Sequence, residues 1–392
     1  MTVAATSFMT HTANSLDTGR RTARQIRESM SEPPALVVTY LTVNHDQSGF
    51  LRGLREVLGP EIPVVGCSAQ GVVGRGTLRE EGYAAGALAL GGTLSVAHAA
   101  EERIAEEPFA RGKSLGKQLR AGLSAPPKVV VLHYDALCGV DPELLLEGLF
   151  SEVECPIMGG AAAHSFSYQE LRETYQYHGE RVMTGSAVAF AIAGDFSVEI
   201  GHSHGCSPSG VELVVTRAEG NVLFELDGQR ASDVWQEICG DLSPTSNQST
   251  ALAIGVPKPG AASGEYFVRS AYGIDTDVGS VGIGPAIPTG TRIMLHHRTV
   301  EDVIRGTQQM GESLNARLAG KNPRAVLGFE CGARTRPFLG DEATLTETLE
   351  LQRLVAGDDA AWLGMLPWGE LVPVDGRPAF HNYAYSLLVI AE

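Results

Sequence analysis

The 392-residue sequence predicts an α/β fold, with mixed sheets and outer helices, built from internally repeated strand-helix-strand units. Three observations carry that expectation. Short apolar runs rich in β-branched residues alternate with longer stretches whose apolar residues recur at helical spacing. The order of elements then starts again partway along the chain: Pro34 and Pro127, and likewise Pro63 and Pro156, lie 93 residues apart, each pair before matching strand-like runs. A hydrophobic fraction of 43%, a charged fraction of 19% and 46 glycines suit a layered globular body with many tight turns.

In chain order, Ala23, Ile26 and Met30 give Thr18 to Met30 a helical face, and Ser31 to Pro34 stops it. Ala35 to Tyr40 reads as a strand, Leu51, Leu54, Val57 and Leu58 mark a helix, and Pro63-Val64-Val65 opens a strand ending at Gly66-Cys67-Ser68-Ala69-Gln70-Gly71. Tyr83 to Leu90 and Thr93 to Ala97 read as strands joined through Gly91-Gly92, a dipeptide suited to a tight hairpin. The second copy has a strand from Pro127 to Leu132, a helix from Asp141 to Phe150 capped by Asp141 with Pro142 in its first turn, and a strand at Pro156-Ile157-Met158-Gly159-Gly160. Gly185 to Ala193 then matches Gly86 to Leu90.

Ser207 to Gly290 differs in composition: Leu213 to Thr216 and Val222 to Leu226 read as paired strands, and Asp241 to Thr250 as a polar loop. A third, more diverged copy runs from a strand at Arg292 to Leu295 through a helix over Thr299 to Leu318 to a strand at Ala325 to Phe329. A helix over Glu347 to Val355, the run Trp362 to Met365 and a last strand through Tyr383 to Ile390 complete it.

The formal charge of −16, from 46 acidic against 30 basic residues, argues against nonspecific nucleic-acid binding and anionic membrane surfaces. The apolar runs fall well short of the roughly 20 residues that cross a bilayer. Met1 to Thr12 lacks the basic start and apolar core of a signal peptide, and six scattered cysteines read as reduced thiols, so a cytoplasmic protein is expected.

The richest chemistry lies in Phe329-Glu330-Cys331-Gly332-Ala333-Arg334, where an acid, a thiol and a guanidinium share one turn after a strand. The planar fork of Arg334 would clamp a ligand carboxylate, Glu330 or Glu370 would receive an amine, and amides of Gly66, Cys67, Ser68, Gly159 or Gly160 would hold remaining oxygens. A blander assignment stands beside it: Arg334 pairs with a structural carboxylate, and Cys331 is an inert buried thiol. On paper Cys331, His381 and Glu330 or Glu370 assemble a thiol hydrolase, though no nucleophile elbow or protease signature accompanies them. His381 and Asn382 could equally complete turn hydrogen bonds.

His202, His204 and Cys206, two apart, would face one side of a strand as metal ligands unless Gly205 and Pro208 break the alignment, and no fourth ligand is evident. The neighbours His296 and His297 would point to opposite faces. Either cluster could lend an imidazole to a haem iron. The Gly66 to Gly71 turn lacks the lysine of a phosphate loop.

Taken in order, Pro63 to Ala69 with Gly71, Pro156 to Ala161, Gly205-Cys206-Ser207-Pro208, Val215-Thr216-Arg217-Ala218 and Leu223 to Gly228 resemble the FIST sensory family. Phe329 to Arg334, Gly369-Glu370-Leu371 and Phe380-His381-Asn382 extend the resemblance. It divides the chain into an N-terminal portion over 1–200 and a C-terminal portion over 201–392. It implies a non-enzymatic small-ligand sensor of signal transduction that recognises an amino acid or similar carboxylate. The site would lie among the glycine turns and C-terminal motifs, Cys206 included. With no output signature in the sequence, signalling would pass to a partner protein in trans. Some relatives bind haem and sense nitric oxide, so a haem sensor is one alternative; a thiol-dependent hydrolase and a ligand-free scaffold are others.

Overall fold

A strand that is apolar on both faces must be covered on both, and three apolar strands meet that requirement in the same way. The computed structural model describes residues 3–167, 171, 173–239, 252–258, 266–357 and 359–392. The chain begins with β1 (Val3–Thr10), α1 (Ser15–Ser29), β2 (Leu36–Leu41), α2 (Gln47–Leu58) and β3 (Val64–Ser68). A hairpin of β4 (Val72–Gly74) and β5 (Thr77–Arg79) leads to β6 (Ala85–Gly92). The same sequence of elements follows as β7 (Ser95–Glu102), α3 (Pro108–Gly122), β8 (Val129–Asp135), α4 (Pro142–Val153), β9 (Ile157–Ala162), the hairpin β10 (Gln176–His178) and β11 (Arg181–Met183), and β12 (Ser186–Ala193).

After β13 (Ser197–Ser203) the pattern is interrupted by β14 (Cys206–Glu219), β15 (Val222–Leu226), β16 (Gln229–Arg230), α5 (Ala231–Cys239), β17 (Leu252–Pro257), β18 (Tyr266–Asp275), β19 (Ser280–Gly284) and β20 (Arg292–Arg298). It resumes with α6 (Val300–Arg317), β21 (Pro323–Glu330), a π-helical turn (Thr335–Leu339), α7 (Asp341–Val355) and β22 (Ala361–Met365). The hairpin β23 (Glu370–Val374) and β24 (Arg377–His381) and a last strand β25 (Tyr385–Ala391) close the chain.

Three mixed six-stranded sheets result, ordered β1-β6-β2-β3-β10-β11, β7-β12-β8-β9-β23-β24 and β13-β25-β21-β22-β4-β5. Each is centred on a parallel pair, β2 with β3, β8 with β9 and β21 with β22. Each is completed by a hairpin from another third of the chain, which ties the N-terminal and C-terminal portions together. Alternation along the central strands sets the layers. Leu36, Val38 and Tyr40, Val129 and Val131, and Ala325, Leu327 and Phe329 share one core between the sheets. The intervening Val37 and Leu41 pack under α1 and α2, and Val130 and Leu132 under α3 and α4. The central layer brings the Tyr40 hydroxyl within 3.2 Å of His133 Nε2, and the His133 ring within 6.0 Å of Phe329.

The fourth sheet runs β14-β20-β17-β18-β19-β15-β16, and β14 also pairs with β15, closing six strands into an antiparallel barrel. Trp235 on α5 joins its core with Val215, Leu223, Ile254 and Ile293.

Several expectations need correction. β6 and β7 form no hairpin: β6 lies between β1 and β2, while β7 pairs with β12 in another sheet, so Gly91 and Gly92 mark a crossing between sheets. Arg292 to Leu295 belongs to the barrel rather than to a third copy of the sheet. The expected loop from Asp241 to Thr250 lies outside the described residues. Among the described residues no helix is long and apolar enough to cross a membrane.

Candidate functional site

The turn after β21 splits its polar groups between two sides. Arg334 is fully buried and faces α6 and α7. Its Nη1 donates to Glu330 Oε1 at 2.5 Å and Glu347 Oε2 at 2.7 Å; its Nη2 donates to Glu347 Oε1 at 2.6 Å and to the Thr307 hydroxyl. Burial opposes this charge, but Glu347 and Glu330 more than offset it and hold the guanidinium protonated. Burial pushes Glu330 up to about 8 against the pull of Arg334. The fork expected to clamp a ligand is therefore filled by the protein's own carboxylates, one of them, Glu347, thirteen residues along the chain.

Cys331 faces the other way, onto a cavity of about 940 Å³ between the barrel and the three-sheet body. The loop after β8 forms one wall. Asp135 fixes it, accepting from Leu137 N at 2.9 Å, the Thr174 hydroxyl at 2.7 Å and Gly185 N at 2.7 Å. Asp141 ends the loop by capping α4, as its spacing before Pro142 predicted, accepting from Glu143 N and Leu144 N.

The barrel supplies the opposite wall through Ser270 to Ile274 on β18, with Asn221 and Trp235. It is fastened to the body by Asn382, whose Oδ1 accepts from Ser270 N at 2.9 Å and whose backbone N–H donates to Val268 O at 3.0 Å. Arg269 adds a second tie: it donates to Phe380 O at 2.5 Å, pairs with Glu143, and lies 5.6 Å from the Phe267 and Phe380 rings. The body contributes Cys331, Trp368, Phe380, Asn382 and Tyr383. Trp368 is held by its Nε1 donating to Gln70 Oε1 at 3.0 Å, and Phe166 stacks on it with centroids 5.6 Å apart and planes at 9°. Among the described residues no arginine or lysine lines the cavity.

Behind Cys331 lies Glu370, fully buried, its Oε2 accepting from Ala384 N at 3.0 Å. Burial raises this carboxyl well above the ordinary range. Burial, and then Glu370, also push the Cys331 thiol well up, so at neutral pH the thiol keeps its proton. His381 does not complete a triad. Its ring lies 5.6 Å from His202 and 5.7 Å from Phe267, and neither ring nitrogen has a hydrogen-bond partner among the described residues. Burial pushes it well below the usual histidine range.

The remaining predicted residues lie elsewhere. Gly66, Cys67 and Ser68 are inside β3, paired with β2 on one side and, at Gly66 and Cys67, with β10 on the other. Gly159 and Gly160 are inside β9, paired with β8 and β23. These backbones serve the sheets, which corrects the expectation that their amides hold a ligand. Their glycines are required by close approach: a Cβ on Gly66, at φ +154°, would stand 1.8 Å from Thr39 O, and one on Gly159, at φ +139°, 2.0 Å from Leu132 O.

The His202 to Cys206 segment is not one strand. β13 ends at Ser203, Gly205 turns at φ +61°, and β14 starts at Cys206, so the two-residue alternation is broken as the glycine suggested. Among the described residues no group of three histidine, cysteine or acidic side chains could hold a metal. His202, His204 and Cys206 line a smaller polar pocket of about 440 Å³ with Asp302, Arg305 and Gln309 on α6. Burial lowers His202 and brings His204 down to about 4.

Of the predicted ligand residues, the structure thus brings Cys331 and Asn382 to the large cavity, with Glu370 behind them. Tyr134, Phe166, Trp235, Tyr272, Trp368 and Tyr383 were not anticipated. The one available signal was the clustering of aromatics beside the polar motifs, as in Trp368 before Gly369-Glu370 and Tyr383 after His381-Asn382.

Residues 35–229 match the FIST N domain and residues 231–373 the FIST C domain. The chain is 26% identical over 375 residues to an uncharacterized protein of Mycobacterium tuberculosis, covering 92% of each chain. It is 28% identical over 228 residues to an uncharacterized protein of Mycobacterium bovis, covering 56% of this chain and 57% of that one. Among solved structures it is similar to a cyanuric acid hydrolase from A. caulinodans at 9% identity and a TM-score of 0.31, covering 76% of this chain and 100% of that one; so low a score carries no argument.

Proposed function

Because the chain belongs to the FIST family, whose domains are associated with sensing in signal transduction, we propose that it is a small-ligand sensor holding its ligand between barrel and body. The observation that carries this reading is the cavity of about 940 Å³, built from distant parts of the chain and walled mainly by apolar and aromatic side chains. Its volume suits a drug-sized molecule.

The chemistry of the walls changes the expected ligand. An amino acid or other carboxylate would find no cation among the described lining residues, and Arg334 is engaged behind them. A buried unpaired charge costs several kcal/mol, so a mostly apolar ligand fits better. The same walls hold none of the histidines offered for a haem iron, the Cys331 thiol is kept protonated, and no arginine or lysine among the described lining residues is there to meet propionates. The histidines His202 and His204 open instead on the smaller polar pocket.

Binding rather than catalysis is the reading we favour, because burial holds Cys331 as a protonated thiol and the expected imidazole base, His381, makes no hydrogen bond to it. Ligand in the cavity touches the barrel and the body at once. A ligand that prefers one arrangement of the two would shift the surface offered to an output protein in trans, in a cytoplasmic setting. Native mass spectrometry after exposure to a library of small apolar molecules tests the proposal. One-to-one adducts that disappear in Ala271→Trp, which fills the cavity, are expected. Adducts retained in that variant would overturn it.

A further inference from the structure

We propose that the ligand of this cavity is a lipophilic organic cation, an inference that rests on the cavity being the ligand site. Two features of the walls point the same way. Tyr134, Phe166, Trp235, Tyr272 and Trp368 line the space with aromatic rings, while the Tyr383 ring already carries Arg298 at 4.0 Å. The face of such a ring is the negative end of its quadrupole, so it attracts a cation and disfavours an anion.

The fixed charges add to this. Asp141 lines the cavity, and Asp135 and Glu143 stand in and just after the same loop. Against these three carboxylates stand two guanidiniums, Arg269, already paired with Glu143, and Arg298, which lies 4.0 Å from the centre of the Tyr383 ring behind the wall. Both cap bonds of Asp141 fall on Oδ1, which leaves Oδ2 for a ligand. The chain as a whole, at −16, draws cations toward its surface.

The cavity also has an apolar approach. Leu137, Phe166 and Tyr272 are 40%, 44% and 51% exposed, so large apolar side chains that would normally be covered lie open to solvent on one cavity. Exposed apolar surface gathered in one place marks a binding surface more often than chance. A guest with an apolar body and a delocalised positive charge satisfies the rim, the rings and the carboxylates together.

The test uses three probes of similar shape and different charge: tetraphenylphosphonium, tetraphenylborate and neutral triphenylmethanol. Two of the three tryptophans, Trp235 and Trp368, line the cavity, so intrinsic fluorescence reports binding. At physiological salt the phosphonium is expected to bind at least about tenfold tighter than the borate. Asp141→Asn keeps the helix cap, since asparagine caps as well as aspartate, and should weaken the phosphonium alone by roughly three- to tenfold. Ala271→Trp should abolish binding of every probe, which separates the cavity from adsorption to an acidic surface.

Borate binding as tightly as phosphonium, or an Asp141→Asn variant that binds phosphonium unchanged, would overturn the cation assignment. Triphenylmethanol binding as well as phosphonium would overturn it too while leaving the cavity as the ligand site. If no probe quenches the tryptophans, the cation assignment and the ligand-site reading fall together.

Discussion

Replacing Arg334 with alanine takes away the guanidinium that Glu330 and Glu347 share, at 2.5 Å from the first and 2.6 to 2.7 Å from the second. Both acids are nearly inaccessible, at 1% and 4% exposure, so neither can recover its hydration when the partner is lost. Breaking a buried pair in this way typically costs about 3–5 kcal/mol, a large part of the 5–15 kcal/mol by which a domain is stable. Arg334→Lys keeps the charge but cannot span both acids and the Thr307 hydroxyl, and should still lose roughly 1–3 kcal/mol. Urea unfolding followed by circular dichroism measures both losses, and titration of the folded variants with a cavity ligand measures affinity. A stability loss below about 1 kcal/mol, together with a collapse in affinity for Arg334→Lys, would refute the structural role and return Arg334 to the ligand.

Burial raises Glu330 to about 8, so the folded protein holds a proton that the unfolded chain sheds in the ordinary carboxylate range. Stability contributed by this group is therefore lost as pH rises from that range through about 8, at up to ~1.4 kcal/mol per pH unit. Glu330→Gln mimics the protonated form and should flatten the slope; urea midpoints at pH 5, 7 and 9 show whether it does. Gly66→Ala forces a Cβ to 1.8 Å from Thr39 O at a φ of +154°, and should cost on the order of 3 kcal/mol or leave the protein insoluble; wild-type stability by the same unfolding assay would contradict the packing described. Cys331, 4% exposed with its thiol pushed up, should be alkylated far more slowly than the partly exposed Cys138 in the native protein, as residue-resolved mass spectrometry can measure; fast labelling of Cys331 would revive a nucleophilic role.

Much of the sheet framework was legible because its central strands are local apolar runs. The strands at Leu36 to Leu41 and Val129 to Asp135 and their following helices are signalled by apolar runs, caps and the matching prolines. Pairing was less legible. β4 and β5 are three residues each, and the β22 residues that pair with β4, Gly364 with Val73 and Met365 with Val72, lie far along the chain, so no local signal identifies them. β1 was not read as a strand although it pairs along its whole length with β6, and the glycine pair after β6 imitated a hairpin that the sheets do not form.

The candidate site divides for the same reason. A run such as Glu330-Cys331-Gly332-Ala333-Arg334 shows which polar groups are neighbours in sequence, but not that a strand end sends Arg334 under α6 and Cys331 toward the barrel. The carboxylate that completes Arg334 comes from α7, and the aromatic walls come from the loop after β8, the barrel and the final hairpin. Each of those stretches looks ordinary alone. Asp141 was recognised as a helix cap and its place on the cavity followed only from the fold.

The central claim, that the ligand sits between barrel and body, is tested most directly by a crystal structure with a bound ligand. The ligand is expected against Trp368, Tyr272 and Asn382, with Arg334 still held by Glu330 and Glu347. A ligand found on the Arg334 guanidinium, or in the pocket at His202 and His204, would contradict it.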